Sequence, residues 1–400
     1  MRSQTNYIVT KDEVHGYAND WLASALRLEY AGTKCTGSIL LQVLLIAAAR
    51  VVSIFAACRD LADAPCDQTI RNALDSALPD LVELERRLNL ALVSELPKAL
   101  TSKSRMVAID LTLIPYHGQP ARDEKEIYRS EAKSGTTHFH AYATAMVVHN
   151  GFRYTLGLTR VEYGEAMKDV VMRLVRIVRR RNVKIKFLLL DKGFFSVDVI
   201  DYLRRAGYGF IIPAFPRGRK PKPPKPITGL RALKNQNNGY YEHTLNSNKD
   251  GKQRSVCVTI CVTSKGYIDK KTGKRRTKKM LHAVWKVRLT PKDIREIYRK
   301  RFGIETSYRQ MNEARIKTCT RDPGQRLLFV GIALVLRNVW VWLHFTLAKG
   351  KWSPEPQIFL ALLRFREMLL WITEVAGPPL GAGKKQGIDL DVYQRLIENA

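Results

Sequence analysis

The first hundred residues repeat apolar positions at the spacing of α-helices. This pattern predicts helices over Gly37–Ala57, Asp67–Ala77 and Leu81–Leu100. The segment Phe55–Leu78 has the arrangement of a helix–turn–helix, which is typical of DNA-binding proteins. A helical bundle used for packing or dimerisation explains the same pattern, and both interpretations stay open.

From residue 104 the apolar runs shorten to the length of β-strands, and amphipathic helices lie between them. An Asn150-Gly151 pair between two of these runs is typical of a hairpin turn. The predicted order is strands at Arg105–Ile114, His138–His149 and Phe152–Val161, helix Glu165–Arg181, strand Lys184–Leu190, helix Val197–Ala206 and strand Tyr208–Pro213. This order indicates a mixed α/β sheet flanked by helices.

A proline-rich basic segment, 216–226, interrupts the α/β pattern, and short β-like runs follow it. Helical spacing returns at Thr290, where Thr, Pro and Asp stand at positions typical of a helix start. This helix is predicted to reach about Arg315. The predicted organisation is a helical N-terminal domain (1–100), an α/β core (101–213 and 290–350), a β-rich basic insertion (214–289) and C-terminal helices (351–400).

The charge of the chain is concentrated in its middle. The formal net charge is +30, and residues 151–300 hold 37 of the 67 Lys and Arg residues against 11 acidic ones. Residues 1–100 hold 10 basic and 12 acidic residues. This distribution indicates a polyanion, first of all nucleic acid, as the partner of the middle of the chain.

The sequence favours a cytoplasmic protein. None of its six cysteines forms a Cys-x-x-Cys pair, and Met1–Tyr30 lacks the pattern of a secretory signal. The apolar segment Leu327–Leu347 is long enough to cross a membrane, but Arg337 and Asn338 stand at its middle. We therefore expect a buried helix and no membrane partner.

Two aspartates stand in or directly after apolar strands. Asp110 interrupts Val107–Leu111, and Asp191 ends the run Phe187–Leu190. A carboxylate is costly there unless it is paired or binds a cation, and ligands gather at the carboxyl ends of parallel strands. For Asp191, a helix N-cap or a loop hydrogen bond is an equally good explanation.

The third acidic residue is Glu305. On one continuous helix it would share a face with Tyr298, Arg301 and Asn312, although a solvated polar face explains that pattern as well. Three carboxylates supply hard oxygen ligands of the kind that Mg²⁺ prefers, and Mn²⁺ is expected to substitute. Such a site can activate water or a 3′-hydroxyl for phosphoryl transfer. We therefore predict a catalytic and metal-binding triad of Asp110, Asp191 and Glu305.

Three motifs resemble those of the Asp-Asp-Glu (DDE) insertion-sequence transposases, which have an RNase H-like core and a β-rich insertion. The motifs are Ala108-Ile-Asp-Leu-Thr, Leu190-Asp-Lys-Gly-Phe and Tyr298-x2-Arg301-x3-Glu305, and the resemblance covers about 105–345. It implies Mg²⁺-dependent strand cleavage at the ends of a transposon and strand transfer into target DNA. It also implies a homodimer that binds terminal inverted repeats and, in a cell, association with the nucleoid.

The resemblance also implies how DNA is held. Tyr298 and Arg301 are expected to contact DNA near the scissile phosphate. The family usually has a lysine seven residues after the glutamate, where this chain has Asn312, so Arg309 or Lys317 is the candidate replacement. Trp285 could stack on a flipped base, although core packing would explain it too.

Two other functions stay open on the sequence. A transposase remnant that binds DNA without cleaving it would keep the basic surface. An RNase H-like nuclease or resolvase would share the metal site without needing the insertion.

Overall fold

A computed structural model describes residues 9–149, 152–219, 226–249, 251–270, 272–347 and 363–383 of the chain. The helices are α1 (Lys11–Leu26), α2 (Gly37–Ala49), α3 (Ile54–Arg59), α4 (Asp67–Ala77), α5 (Leu81–Ala91), α6 (Lys98–Ser102), α7 (Met167–Arg180), α8 (Val197–Arg205), α9 (Pro291–Lys300), α10 (Gly303–Asn312), α11 (Pro323–Trp342) and α12 (Phe365–Ala376). The strands are β1 (Arg105–Pro115), β2 (Tyr128–Lys133), β3 (Thr136–His149), β4 (Phe152–Val161), β5 (Ile185–Leu190), β6 (Phe210–Pro213), β7 (Gly239–Lys249), β8 (Lys252–Ile268) and β9 (Arg275–Trp285).

Short polar side chains begin many of these helices. The Thr290 hydroxyl accepts a hydrogen bond from the backbone N–H of Asp293, and Pro291 occupies the first turn of α9, as the sequence predicts. Ser53 and Asp80 cap α3 and α5 in the same way. Each cap satisfies backbone donors that lack a partner inside the helix, so it fixes where the helix starts.

Two long predicted helices are divided in the structure. The prediction over Gly37–Ala57 is wrong because the chain turns at Val51, whose φ of 56° lies in the left-handed region and cannot continue a helix. The prediction over Leu81–Leu100 is wrong because α5 ends at Ala91 and a new helix starts after Pro97. The predicted helix Asp67–Ala77 is confirmed as α4.

Contacts divide the chain into two compact units. The first contains the described residues of Met1–Ser94, Arg309–Ala348 and Phe359–Ala400, and the second those of Glu95–Tyr308. This division differs from the four predicted regions, because residues after 308 pack with the N-terminal helices. Of the predicted C-terminal helical region 351–400, residues 351–362 and 384–400 lie outside the described residues.

The first unit is helical, and α11 lies in its core. This helix and the turn after it, Pro323–Phe345, are apolar and long enough to cross a membrane, but the apolar window is wholly buried inside the protein. Arg337 is buried at the middle of the helix, where its Nε donates to Gln310 at 3.1 Å. The expectation of a buried core helix at this position is therefore confirmed.

The second unit is built on one sheet of nine described strands. Its order is β2-β3-β1-β5-β6-β9-β8-β7, and β4 pairs with β3. Strands β1, β5 and β6 are parallel neighbours, while β3 and β4 run antiparallel. Helices α7 and α8 connect the strands around β5 and bury their apolar faces. The predicted mixed α/β sheet flanked by helices is thus confirmed.

The predicted β-rich insertion extends this sheet. Strand β9 pairs with β6, with Phe210 opposite Trp285, and β8 and β7 follow outward. The insertion therefore shares its hydrogen-bonded ladder with the core, and contacts do not separate the two. Strand β2 was not predicted, because its mostly polar residues are largely exposed and show no apolar alternation.

Candidate active site

The two predicted aspartates lie beside each other at the end of the parallel part of the sheet. Ile109 of β1 pairs with Leu190 of β5, so the next residue on each strand is an aspartate. The apolar runs before Asp110 and Asp191 are buried and fix these strands in the core. Asp191 precedes a short 3₁₀ turn without capping it through its side chain, so the N-cap explanation does not account for it.

Both carboxylates share one guanidinium group. Arg301 Nη1 lies 2.7 Å from Asp110 Oδ2, and Arg301 Nη2 lies 3.1 Å from Asp191 Oδ1. Arg301 is 4% exposed and Asp110 8%. Buried charges require such a partner, so Arg301 is the counter-ion of the aspartate pair in this structure.

Burial dominates the electrostatics of Asp110. Loss of water, with a smaller contribution from the neighbouring Asp191, raises the pKa of its carboxyl to about 6 against the opposing effect of Arg301. The backbone N–H of Leu111 donates to Asp110 Oδ1 at 2.9 Å. The surroundings therefore disfavour the negative charges of the two carboxylates, and a cation beside them stabilises the charged forms.

Aromatic rings hold Arg301 from the side. Its guanidinium lies 5.3 Å from the ring centres of Tyr298 and Phe302, within the range of cation–π contacts. Tyr298 is buried, and its hydroxyl donates to the carbonyl of Leu190 at 3.3 Å. Tyr298 therefore ties α9 to the end of β5, directly before Asp191.

Glu305 does not share a face with Tyr298 and Arg301. The predicted continuous helix is wrong, because α9 ends at Lys300 and α10 begins at Gly303. The backbone N–H of Ile304 bonds to the carbonyl of Arg301 in the tight turn between them. Glu305 is exposed in the first turn of α10, whereas Tyr298 and Arg301 are buried.

The described residues contain no group of three His, Cys, Asp or Glu side chains close enough to hold a metal ion. The structure therefore brings together Asp110, Asp191 and Arg301, and Glu305 does not complete a three-carboxylate cluster in it. Its role as the third metal ligand stays a prediction.

Tyr308 and Thr144 belong to the site but were missed by sequence reasoning. The Tyr308 hydroxyl donates to the backbone carbonyl of Asp110 at 3.0 Å and lies 2.8 Å from Thr144 Oγ1. These contacts fix the position of Asp110 on β1. An isolated Thr within an apolar strand was the one available indication.

Trp285 and Arg309 are the other predicted DNA contacts. Trp285 is half-buried between Phe210, 6.5 Å away in a stacked arrangement, and the ammonium group of Lys286, so packing accounts for its position. Arg309 is exposed on α10, and Asn312 accepts a hydrogen bond from Arg315 at 3.1 Å. Contact of Trp285 and Arg309 with DNA stays a prediction.

Comparison with known proteins now identifies the family. A family model described as "Transposase DDE domain" matches residues 101–338, more than half of the chain and all of the site described above. The chain belongs to the DDE transposase family. It is therefore an enzyme of the DNA transposase class.

A solved structure gives a second, weaker comparison. The piggyBac transposase, determined as a synaptic complex with hairpin DNA, is similar to this chain with a TM-score of 0.53 and 12% identity, over 96% of this chain and 81% of the other. At this identity the similarity extends to the fold alone. No curated protein matches the sequence.

DDE transposases use divalent metal ions, and the site is suited to one in part. Asp110 and Asp191 supply oxygen ligands of the correct chemistry, and their shared contact with Arg301 places both within reach of one positive charge.

Proposed function

We propose that this transposase cleaves DNA at the ends of a transposon and joins those ends to target DNA. The observation that carries the proposal is the pair of the buried Asp110 and the partly exposed Asp191, which lie where the parallel pairing of β1 and β5 ends and share the guanidinium group of Arg301. A buried carboxylate beside a second carboxylate is costly for stability, so its presence in a transposase family favours a catalytic role.

Asp110 and Asp191 would hold Mg²⁺, with Mn²⁺ able to substitute, and Glu305 would be the third ligand. When bound, the metal supplies activation of water or a 3′-hydroxyl and stabilises the leaving oxygen. Glu305 is exposed and lies directly after a tight turn, which supports the proposal that its side chain can move from solvent to the metal ion.

Arg301 links the metal to DNA in this proposal. A guanidinium group and a metal ion compete for the same two carboxylates, so Arg301 gives up at least part of its contact when metal is held by both. The released guanidinium would then contact a DNA phosphate, as the resemblance of its motif implies. Tyr298, Arg309 and Trp285 are the further DNA contacts of the proposal.

The proposed partners are the terminal inverted repeats of the transposon and the target duplex. A homodimer would bind them in the cytoplasm, at the nucleoid. The basic middle of the chain supports a DNA partner, since the sugar–phosphate backbone is the dense polyanion that such a surface attracts.

The test is cleavage of a linear duplex that carries the inverted repeats flanking the gene. The wild type should cut it with Mg²⁺ or Mn²⁺ and not with EDTA. Asp110→Ala should lose at least about a thousandfold in cleavage rate, because a metal ligand contributes several kcal/mol, and should still bind the ends. Asp201→Ala, at a half-exposed aspartate on α8 that pairs with Arg205, is the matched control and should cut normally.

Cleavage of the duplex by Asp110→Ala at the wild-type rate would refute the proposed site. Binding without cleavage by the wild type would indicate a remnant that only binds DNA. Preference for branched junctions over inverted repeats would indicate a nuclease or resolvase.

A further inference from the structure

The β8–β9 hairpin carries a basic surface whose residues are not those of the aspartate pair. Strands β8 and β9 continue beyond the covered sheet as a two-stranded ribbon, paired from Thr263–Met280 to Ile268–Arg275. Most side chains of this outer part are exposed. A ribbon of two strands is narrow enough to lie along a DNA groove or backbone.

Four lysines line an open cavity of about 720 Å³ beside this ribbon. They are Lys234, Lys265, Lys278 and Lys279, with Tyr267 and Thr277 completing the lining. Lys234 comes from the short 3₁₀ helix Gly229–Asn235, so two separate segments of the chain build the concavity. We call this surface the lysine cleft.

The charges of the lysine cleft are not balanced within the protein. Over the part of the chain that the structure describes, none of the four lysines lies within ion-pair distance of a carboxylate, in contrast to nearby Arg276, which pairs with Asp269 at 3.0 Å. Lys265 and Lys278 stand directly opposite each other on the two strands. Like charges in such a pair destabilise a sheet, and a polyanion would relieve the repulsion.

The ring of Tyr267 distinguishes the lysine cleft from a merely solvated charged face. Tyr267 is 43% exposed, although it lies between basic side chains. An exposed ring beside lysines is the combination that nucleic-acid-binding surfaces use, since the ring packs on a sugar or base while ammonium groups contact phosphates.

We propose that the lysine cleft binds the sugar–phosphate backbone of DNA, at a site separate from the aspartate pair. This inference rests on the proposed function, from which it takes DNA as the ligand. It adds the surface of the protein at which part of that DNA would bind. A backbone contact here would hold the DNA in position without reading its sequence.

The test uses the full-length protein and compares two variants that each lose four positive charges. In the first, Lys234, Lys265, Lys278 and Lys279 are changed to Gln. In the control, four exposed lysines elsewhere in the same unit, Lys98, Lys103, Lys125 and Lys133, are changed to Gln. Thermal melts check that both variants fold. Affinity for duplex and single-stranded oligonucleotides of equal length is measured by anisotropy over a range of salt concentrations.

If each lysine contacts one phosphate, the plot of log affinity against log salt concentration for duplex DNA becomes shallower by about 0.9 per lysine lost. We therefore expect the slope of the lysine-cleft variant to fall by about 3 to 4, and that of the control to fall by less than about 1. Equal slopes for the two variants would overturn the proposal, as would loss of binding to phosphatidylserine vesicles with DNA affinity unchanged.

Cleavage at saturating DNA separates this proposal from the proposed function. The lysine-cleft variant should cut at the wild-type rate once DNA is saturating, whereas Asp110→Ala should bind and not cut. Failure of the cleft proposal therefore leaves the catalytic proposal standing, and the reverse also holds.

Discussion

Three charged side chains, Asp110, Asp191 and Arg301, balance one another in this structure. Asp110 and Asp191 are neighbours because β1 and β5 pair in parallel, and Arg301 reaches both from the end of α9. Removing one member of a buried ionic group costs several kcal/mol, because the remaining charges stay in the protein interior unpaired. We therefore expect Arg301 to stabilise the folded protein, and its contact with DNA stays a proposal.

Replacing Arg301 should lower the stability of the protein and raise its affinity for a divalent metal ion. We expect Arg301→Gln to lower the free energy of unfolding by about 3 kcal/mol without divalent ions, because two carboxylates are left facing each other. Mn²⁺ should restore its melting temperature far more than it raises that of the wild type, since metal no longer competes with the guanidinium. Melting curves with and without Mn²⁺ measure both effects.

The matched control is Arg299→Gln, two residues earlier, where an exposed arginine pairs with Glu296. It should change stability by less than about 1 kcal/mol and leave the response to Mn²⁺ unchanged. Equal responses of the two variants to Mn²⁺ would contradict competition between Arg301 and the metal.

The two aspartates could be found from sequence, but their partner could not. A carboxylate within or directly after an apolar strand is visible in one line of sequence, as at Asp110 and Asp191. The contact of Arg301 with Asp110 joins residues 191 positions apart and depends on where α9 ends. The role of Tyr308 could not be predicted for the same reason, since its hydroxyl contacts a backbone carbonyl on a distant element.

At the scale of elements, the sheet was predicted well and the long helices poorly. Strands β3 and β4 match their predicted runs to within two residues at each end, because the Asn150-Gly151 pair between them marks a hairpin turn in the sequence. The break at Val51 was missed because no proline or glycine marks it, and the break between α9 and α10 was missed although Gly303 follows its two turn residues, because the helical spacing continues across them. The second break matters for the predicted site, because it separates Glu305 from the helix that carries Tyr298 and ends before Arg301.

The start of α10 depends on a glycine. A methyl group at Gly303 would overlap the guanidinium of Arg153 on β4, so Gly303→Ala should displace the first turn of α10 or that arginine. We expect a loss of about 1–3 kcal/mol in the free energy of unfolding, measured by urea denaturation. Cleavage should also fall, because this turn carries Glu305.

Gly16, inside α1, is the matched control because nothing lies within 4 Å of an added Cβ. Gly16→Ala should stabilise the protein by about 0.5–1 kcal/mol, since alanine loses less backbone entropy in a helix. A Gly303→Ala variant that gained stability by the same amount would show that Arg153 does not restrict this turn.

At the scale of the whole molecule, the net charge of +30 has a defined distribution. The first hundred residues are slightly acidic and form helices around a buried core, while 151–300 carries most of the excess and includes both Asp191 and the lysine cleft. Both interpretations of the N-terminal helices, DNA reader and packing bundle, stay open. The basic excess belongs instead to the unit that contains the nine described strands.

The central claim is that the aspartate pair holds the catalytic metal, and exchange of a ligand tests it most directly. Asp191→Cys replaces a hard oxygen by sulfur, which is a poor ligand for Mg²⁺ and a better one for softer divalent ions. Cleavage of inverted-repeat DNA is measured for this variant and the wild type in Mg²⁺ and in Mn²⁺. We expect the wild type to cut in both ions and Asp191→Cys to recover activity in Mn²⁺ only. Cleavage by Asp191→Cys in Mg²⁺ at the wild-type rate would contradict the claim.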